Sequence, residues 1–168
     1  MNLIEEIGPL AVAARLQRLA DMIRKDGVLV YKENGIDFEP KWFPVVYVLS
    51  RKGALSVVDL SNEIGLAHPS VIQLIKELEA KKLVKSSSHK VDGRKRVITL
   101  TPKAEALVLE MQPVWDNIKA AVTEMVKTEN NLMKAIAETE AQLKKESFFN
   151  RVARQTSIHS AKKKIVKK

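Results

Sequence analysis

The chain has 168 residues, a formal net charge of +9, 45% apolar and 29% charged residues, and no cysteine. This composition is typical of a folded globular protein, and the absence of cysteine excludes disulfides and thiolate metal sites. Its apolar runs are far shorter than the roughly 18 residues that a membrane span requires, and acids stand where a secretory signal has basic residues. We therefore expect a cytoplasmic protein with no membrane partner.

The positive charge is unevenly distributed along the chain. Residues 151–168 carry seven Lys or Arg and no acidic residue, and residues 84–100 carry five basic residues and one Asp. Residues 102–146, by contrast, contain six Lys and eight acidic residues. One end of the folded molecule is therefore expected to be positive, which suits a polyanion such as double-stranded DNA.

The N-terminal third predicts two helices. Apolar residues at helical spacing predict the first over residues 9–26, with Pro9 at its first position. Gly27 either ends this helix or lies within a continuation towards Tyr31. Turn-forming residues predict a loop over 33–37, and a second helix is predicted from Pro40 to about Arg51.

Residues 56–82 have the pattern of a helix-turn-helix. Ser56 is the expected N-cap of a short third helix, with Asp59 three residues later, and Gly65 is expected to end it. A fourth, longer helix is predicted from about His68 to Lys82. Its apolar face consists of Val71, Leu74, Ile75 and Leu78. A short helix, a tight turn and a longer helix indicate a DNA-binding element.

After this helix the spacing of apolar residues changes from helical to that of strands. Residues 84–87 and 96–100 predict two short strands, and the Asp92-Gly93 dipeptide between them predicts a turn. A hairpin directly after a recognition helix is a wing. The predicted fold class is therefore mainly α with a small β-hairpin wing: a winged helix-turn-helix with flanking dimerisation helices.

The C-terminal third predicts two more helices. Thr101-Pro102 predicts a helix start, and that helix is expected to run to about Lys127 with a kink at Pro113. Thr128 or Asn130 is expected to cap a last helix. The apolar stripes of both exceed what one small winged helix can cover, which predicts a dimer. The expected division is an N-terminal dimerisation helix (1–34), the winged helix-turn-helix (35–101), C-terminal dimerisation helices (102–150) and a flexible basic tail (151–168).

Candidate DNA-binding side chains lie on the fourth helix and in the wing. On the helix, Gln73 can pair with adenine, His68 and Ser70 can bond phosphates or base edges, and Ile72 can touch a thymine methyl. The wing cations can grip phosphates or enter the minor groove. The full set is His68, Pro69, Ser70, Ile72, Gln73 and Lys76 on the helix, and Lys90, Arg94, Lys95 and Arg96 in the wing. The alternative is a solvated helix face and an ordinary hairpin.

Several motifs carry a family resemblance. They are Leu55-Ser56-Val57, the Gly65 turn, Leu78-Glu79, Leu83-Val84, Asp92-x-Arg94 and Leu100-Thr101. Through them, residues 55–107 resemble the winged-helix core of the multiple-antibiotic-resistance regulator (MarR) family. Gly8-Pro9-Leu10, residues 37–40 and Trp42-Phe43-Pro44 resemble a subgroup in some of whose members this domain is fused to an N-acetyltransferase. We expect no acetyltransferase domain in this chain.

The resemblance implies a homodimer joined through the first and last helices, a near-palindromic DNA site, and a small aromatic effector. Candidate effector-pocket residues are Trp42, Tyr47, Met111 and Trp115; the alternative is that they are ordinary core residues. The chain departs from the family at Lys82 and Ala104, where Gly is common. A Lys at position 82 is expected to adopt a left-handed backbone conformation.

The predicted function is a sequence-specific DNA-binding transcriptional regulator, most readily a repressor, that is released by a ligand or acts constitutively. Two alternatives remain: an architectural DNA-binding protein of low specificity, driven by the basic tail, and a winged helix used for protein contacts. An enzyme is not expected. The three histidines lie in separate elements without metal-ligand spacing, and no phosphate loop or nucleophile motif is present. We therefore expect no catalytic residue, no metal and no cofactor.

Overall fold

The computed structural model describes residues 3–88 and 96–156, and the chain divides into two units, Met1–Asp116 and Asn117–Lys168. The first unit begins with α1 (Leu3–Glu6), a 3-10 turn (Gly8–Ala11), α2 (Val12–Glu33), a second 3-10 turn (Pro40–Trp42) and α3 (Phe43–Lys52). It continues with β1 (Leu55–Ser56), α4 (Val57–Ile64), α5 (His68–Ala80), β2 (Val84–Ser88) and β3 (Arg96–Leu100). Helix α6 (Pro102–Met125) crosses the unit boundary, and α7 (Leu132–Lys145) and a helical segment at 148–156 follow. The mainly α fold with a small antiparallel sheet confirms the predicted class.

Helix α2 passes through Gly27 without a break and ends seven residues beyond the predicted end at residue 26. A Cβ on Gly27 would lie 3.2 Å from Cγ of Pro40. Glycine in a helix costs about 1 kcal/mol relative to alanine, but here it lets the turn that begins at Pro40 approach the helix closely. Gly27 is therefore a packing residue and not a helix end.

The helix-turn-helix follows the predicted local chemistry. The N–H of Asp59 donates to Oγ of Ser56 at 3.1 Å, and the Ser56 hydroxyl donates to Oδ2 of Asp59 at 2.6 Å. Gly65 has a left-handed backbone with φ of 74° and caps α4. Both ends of this short helix are thus determined by the residue types that the sequence places there.

The recognition helix ends in a left-handed turn at a lysine. Lys82 has φ of 58°, and it is the only non-glycine residue with positive φ in the described ranges. The N–H of Leu83 donates to the carbonyl of Leu78, and the N–H of Lys82 to that of Glu79, both at 2.9 Å. Leu78 and Leu83 are both buried. These are the two bonds and the apolar pair of a Schellman cap, and the expected left-handed conformation at Lys82 is confirmed.

The sheet has one strand more than the sequence predicted. Its order is β1-β3-β2, with Leu55 paired to Ile98 and Val84 to Leu100, all antiparallel. β1 has only two residues, too few to show the alternation by which strands are recognised. The central strand is the most buried, and Ile98 is fully inaccessible. The core beside it contains Val45, Val46, Leu49, Leu60, Val71, Ile75 and Leu78.

The second unit departs from the prediction at two points. Asn131, and not Thr128 or Asn130, caps α7, because its side-chain oxygen accepts from the N–H of Lys134 at 3.1 Å. Residues 151–156, expected to begin a flexible tail, are helical. Arg151 donates to the carbonyl of Gln142 at 2.7 Å, and Arg154 pairs with Glu146 at 3.1 Å. Both arginines thus bond acceptors on nearby residues of the same unit.

Helix α6 continues through Pro113.

None of the helices in residues 3–88 and 96–156 has the length and apolar character to cross a membrane.

Candidate nucleic-acid interface

Helix α5 has one buried and one exposed face. Val71, Ile75 and Leu78 are buried, and Leu74 is partly buried. Of the predicted DNA-binding residues on this helix, His68, Pro69, Ser70, Gln73 and Lys76 are exposed, and Ile72 is partly exposed. The helix thus presents a hydroxyl, an imidazole, an amide and an ammonium group outside the core, which are the types of side chain that contact phosphates and base edges.

A groove joins the start of α5 to the base of the wing. It has a volume of about 460 Å³ and is lined by residues of three elements: Ser56–Asp59 at the start of α4, His68 and Ile72 on α5, and Arg96 on β3. Of the predicted DNA-binding residues, the structure brings His68, Ile72 and Arg96 together here. The other predicted wing residues, Lys90, Arg94 and Lys95, lie outside the described residues.

Arg96 links the wing to the recognition helix. Its guanidinium donates to both carboxylate oxygens of Glu79 at 2.7 Å, and its Nε donates to Oγ of Ser86 at 2.7 Å. The Ser86 hydroxyl also contacts Glu79. The hydrogen bond from Arg96 lowers the pKa of Glu79 below its ordinary value, and the bond from Ser86 lowers it to a smaller extent. Arg96, a predicted DNA contact, therefore also joins β3 to α5. Its side chain remains 45% exposed.

A second carboxylate, Glu77, links α5 to the turn before α3. Its Oε2 accepts from Nε1 of Trp42 at 2.9 Å and pairs with Nζ of Lys41 at 2.8 Å. Its Oε1 accepts from Nε2 of Gln73 at 3.3 Å. Lys41, then Trp42 and to a smaller extent Gln73, lower the pKa of Glu77. The carboxylate is therefore ionised at neutral pH and connects a predicted base-reading residue to a buried ring.

The candidate effector residues belong largely to an aromatic core. Trp42, Met111 and Trp115 are buried, whereas Tyr47 is 38% exposed. The rings of Tyr47 and Trp115 are 5.7 Å apart, and Trp42 packs against Phe38 at 5.7 Å. Of the four residues, Tyr47 offers the most accessible ring.

Tyr31 connects the two parts of this aromatic core. Its ring lies 5.1 Å from Phe38, and its hydroxyl accepts from Nε1 of Trp115 at 3.0 Å. Burial raises the pKa of Tyr31, and the bond from Trp115 partly offsets this. Tyr31 is therefore neutral at physiological pH and serves as a hydrogen-bonded core residue.

No metal site is present in the part of the chain that the structure describes. No group of three His, Asp or Glu side chains there is arranged to hold a metal ion. The two carboxylates with lowered pKa, Glu77 and Glu79, each face a cation and a hydrogen-bond donor, an arrangement that holds side chains in place.

The sequence prediction missed Glu77, Glu79 and Lys41 as residues of this interface. One signal was available, because Gln73 and Glu77 are four residues apart and such pairs face each other on a helix. The bond from Trp42 to Glu77 spans 35 residues, and no local pattern indicates it.

Comparisons with known proteins identify similar folds. Residues 36–95 match the model of the MarR family, a segment that includes α3 to β2. M. tuberculosis transcriptional regulator MOSR, solved in complex with DNA, superposes with a TM-score of 0.67 at 20% identity, covering 79% of this chain and 96% of that one. The S. aureus MepR–DNA complex gives 0.64 at 17% identity, covering 80% and 97%.

A third similar structure is that of Bordetella bronchiseptica BpsR, whose DNA binding is regulated by 6-hydroxynicotinic acid. It has a TM-score of 0.54 and 26% identity, and covers 77% of this chain and 98% of that one. The fold is that of a winged helix-turn-helix. Over residues 36–95 the chain is similar to the MarR family.

Proposed function

We propose that this protein is a transcriptional repressor that binds double-stranded DNA in a sequence-specific manner through α5 and the wing. The observation that carries the proposal is the exposed polar face of α5, which borders one groove with Arg96 at the base of the wing. A helix of this kind enters the major groove, and an adjacent basic hairpin contacts the neighbouring backbone. Two proteins of similar fold, MOSR and MepR, were solved in complex with DNA, which supports the proposal.

We propose further that the protein acts as a homodimer. Helix α2 and the segment before it expose a row of apolar side chains, and so does the second unit. The exposed residues include Leu10, Val12, Leu16 and Met22 at the N-terminal end, and Met133, Leu143, Phe148, Phe149 and Val152 at the other. Apolar surface of this extent is normally covered by a partner. A two-fold dimer would read a near-palindromic site with half-sites about one helical turn apart.

Selection of bound duplexes from random DNA, followed by titration of the selected and a scrambled duplex, tests the proposal. We expect the selected site to bind at least about 10³-fold more tightly than scrambled DNA, and to contain two inverted half-sites. Equal binding to both duplexes would indicate the architectural alternative. Absence of DNA binding even at low salt would indicate a winged helix used for protein contacts.

The wing can be tested separately through the salt dependence of binding. Each phosphate contact contributes about −0.9 to the slope of log affinity against log salt concentration. Arg94→Ala is expected to flatten this slope by about one unit and to weaken binding to the selected site. Lys134→Ala, on α7 in the second unit, is the control and should leave the slope unchanged.

A small aromatic effector is the proposed signal, as the regulation of BpsR by 6-hydroxynicotinic acid suggests by analogy. Tyr47, which is 38% exposed, and the buried Trp115 beside it are the proposed contacts. The proposed subgroup is the one in which this domain occurs fused to N-acetyltransferases, and the proposed place of action is the cytoplasm. No cofactor is proposed.

A further inference from the structure

The two oxygens of the Glu77 carboxylate have different partners. Oε2 receives the N–H of Trp42 and the ammonium of Lys41, at 2.9 and 2.8 Å. Oε1 receives the amide nitrogen of Gln73 at 3.3 Å. One oxygen is therefore bound to the rest of the domain, while the other faces the exposed surface of α5.

The anchor on the Oε2 side is rigid. Trp42 is only 4% exposed and packs edge-on against Phe38. The ammonium groups of Lys41 and Lys81 both lie 5.9 Å from its ring centre. A buried indole has little rotational freedom, so the position of its N–H determines where the carboxylate of Glu77 lies. Lys41 pairs with the same oxygen and lowers the pKa of Glu77, which favours the ionised carboxylate.

The ionised state of Glu77 determines which way the amide of Gln73 points. An ionised carboxylate has only acceptor oxygens, so it can bond Gln73 only through the amide NH₂. The carbonyl oxygen of Gln73 is then free to face outward, with one N–H left beside it. In the major groove adenine and cytosine present an amino donor, whereas guanine presents two acceptors and thymine one acceptor with a methyl group.

We propose that Glu77 is a specificity-determining positioning residue. It holds the amide of Gln73 so that α5 selects a base with an exposed amino group, adenine first, over guanine or thymine. Adenine fits best because the carbonyl of Gln73 accepts from N6 and the remaining N–H donates to N7. This inference rests on the proposed function, since it requires α5 to enter the major groove.

Replacing Glu77 with glutamine is expected to reverse the base preference of Gln73 and not only to remove it. Trp42 and Lys41 are both donors, so they retain the side-chain oxygen of the new residue and turn its NH₂ towards Gln73. Gln73 must then present its carbonyl to that NH₂ and direct its own NH₂ outward. Glu77→Gln is therefore expected to shift the preference from adenine towards guanine, whereas Glu77→Ala releases the amide and should leave little preference.

The test uses the full-length protein and four duplexes carrying the selected site, which differ only at the base pair whose preference Gln73→Ala abolishes. The wild type is expected to prefer adenine over guanine by at least about fivefold. Glu77→Ala should reduce this ratio to near one, and Glu77→Gln should invert it. Glu77→Ala in the Gln73→Ala background should change the ratio no further, because the amide that Glu77 holds is already absent.

Glu63→Ala is the matched control, because it removes a carboxylate that pairs with a lysine, Lys52, at a distance from Gln73 in sequence. It should leave the base ratio unchanged. A purely structural role of Glu77 would weaken all four duplexes equally, and that result would overturn the proposal. A wild type that does not distinguish selected from scrambled DNA would instead contradict the proposed function. A selective wild type whose base ratio survives both Glu77 variants refutes the role of Glu77 alone.

Discussion

The winged-helix region and the second unit use their apolar residues in opposite ways. In residues 43–88 and 96–100 the large apolar side chains of α3, α4, α5 and β3 close a core within one chain, and Leu60 and Leu78 are fully buried. In residues 117–156 only Val126 is buried among the described side chains, while Phe148 and Phe149 are more than 70% exposed. The first region buries its large apolar side chains within one chain, whereas the second leaves most of its apolar side chains exposed.

This difference fits the proposed function, in which one region binds DNA and the other binds a second copy of the chain. The closed core holds α5 and the wing in a defined relation. The hydrogen bonds that Arg96 donates to Glu79 and Trp42 donates to Glu77 strengthen this relation. The open surfaces are available for a second copy. Changes in the second unit are therefore expected to alter association, whereas changes in the winged-helix region are expected to alter folding and DNA selection.

The largest effect is expected from the double variant Phe148→Glu, Phe149→Glu. Burying one phenylalanine contributes about 1.5–3 kcal/mol, so losing both should weaken the dimer by about 3–6 kcal/mol. Light scattering at micromolar concentration should report a mass near 18.9 kDa instead of twice that value. Asn150→Glu adds a charge beside the pair without removing an apolar ring, and it should remain dimeric. A double variant that is still fully dimeric would show that these rings are not in the interface.

The next effect concerns the closed core. Leu78 is fully buried, so Leu78→Ala is expected to lower the free energy of unfolding by about 2–5 kcal/mol. Leu109 is 77% exposed, and Leu109→Ala should change it by no more than about 0.5 kcal/mol. Urea unfolding followed by circular dichroism measures both. Similar losses in the two variants would contradict a closed core around Leu78.

A smaller and opposite effect is expected at the end of the recognition helix. Lys82 holds a left-handed backbone conformation, which costs a residue with a Cβ about 1 kcal/mol or more. Lys82→Gly should therefore stabilise the protein, by at most about 1 kcal/mol, because the unfolded chain also gains freedom. Lys82→Ala keeps the Cβ and should show no such gain. Stabilisation by alanine equal to that by glycine would mean that the backbone is not strained here.

The smallest expected effect is a change in pH dependence. The pKa of Glu79 lies below its ordinary value of 4.5 because Arg96 and Ser86 bond the ionised form. This contribution to stability is complete above about pH 4.5 and is lost as pH falls through the lower folded pKa. Urea unfolding at pH 7, 4 and 3 should show a shallower decline for Glu79→Gln, and the same for Arg96→Met. If the free energy of unfolding falls with pH equally in wild type and variants, the bond between Arg96 and Glu79 does not stabilise the fold.

Much of the fold was predictable, because its boundaries depend on neighbouring residues. The capping pair of Ser56 and Asp59 and the glycine at 65 were read from local patterns, and the left-handed Lys82 from the family resemblance. The structure has all of them where they were predicted. The strand at Arg96–Leu100 was also located from alternation and a preceding turn. The sequence left open whether Gly27 ends the first helix, and the prediction erred at the arginines after 150. Both outcomes depend on contacts with Pro40, Glu146 and Gln142.

The sequence by itself determined the order of elements, the exposed face of α5 and the position of the wing. These follow from hydrophobic period, caps and turns, which act over a few residues. Only the tertiary structure decided what that face is connected to: Glu77 to Trp42 across 35 residues, and Arg96 to Glu79 across 17. A hydrogen bond between distant residues leaves no period in the sequence, because chain folding alone brings its donor and acceptor together.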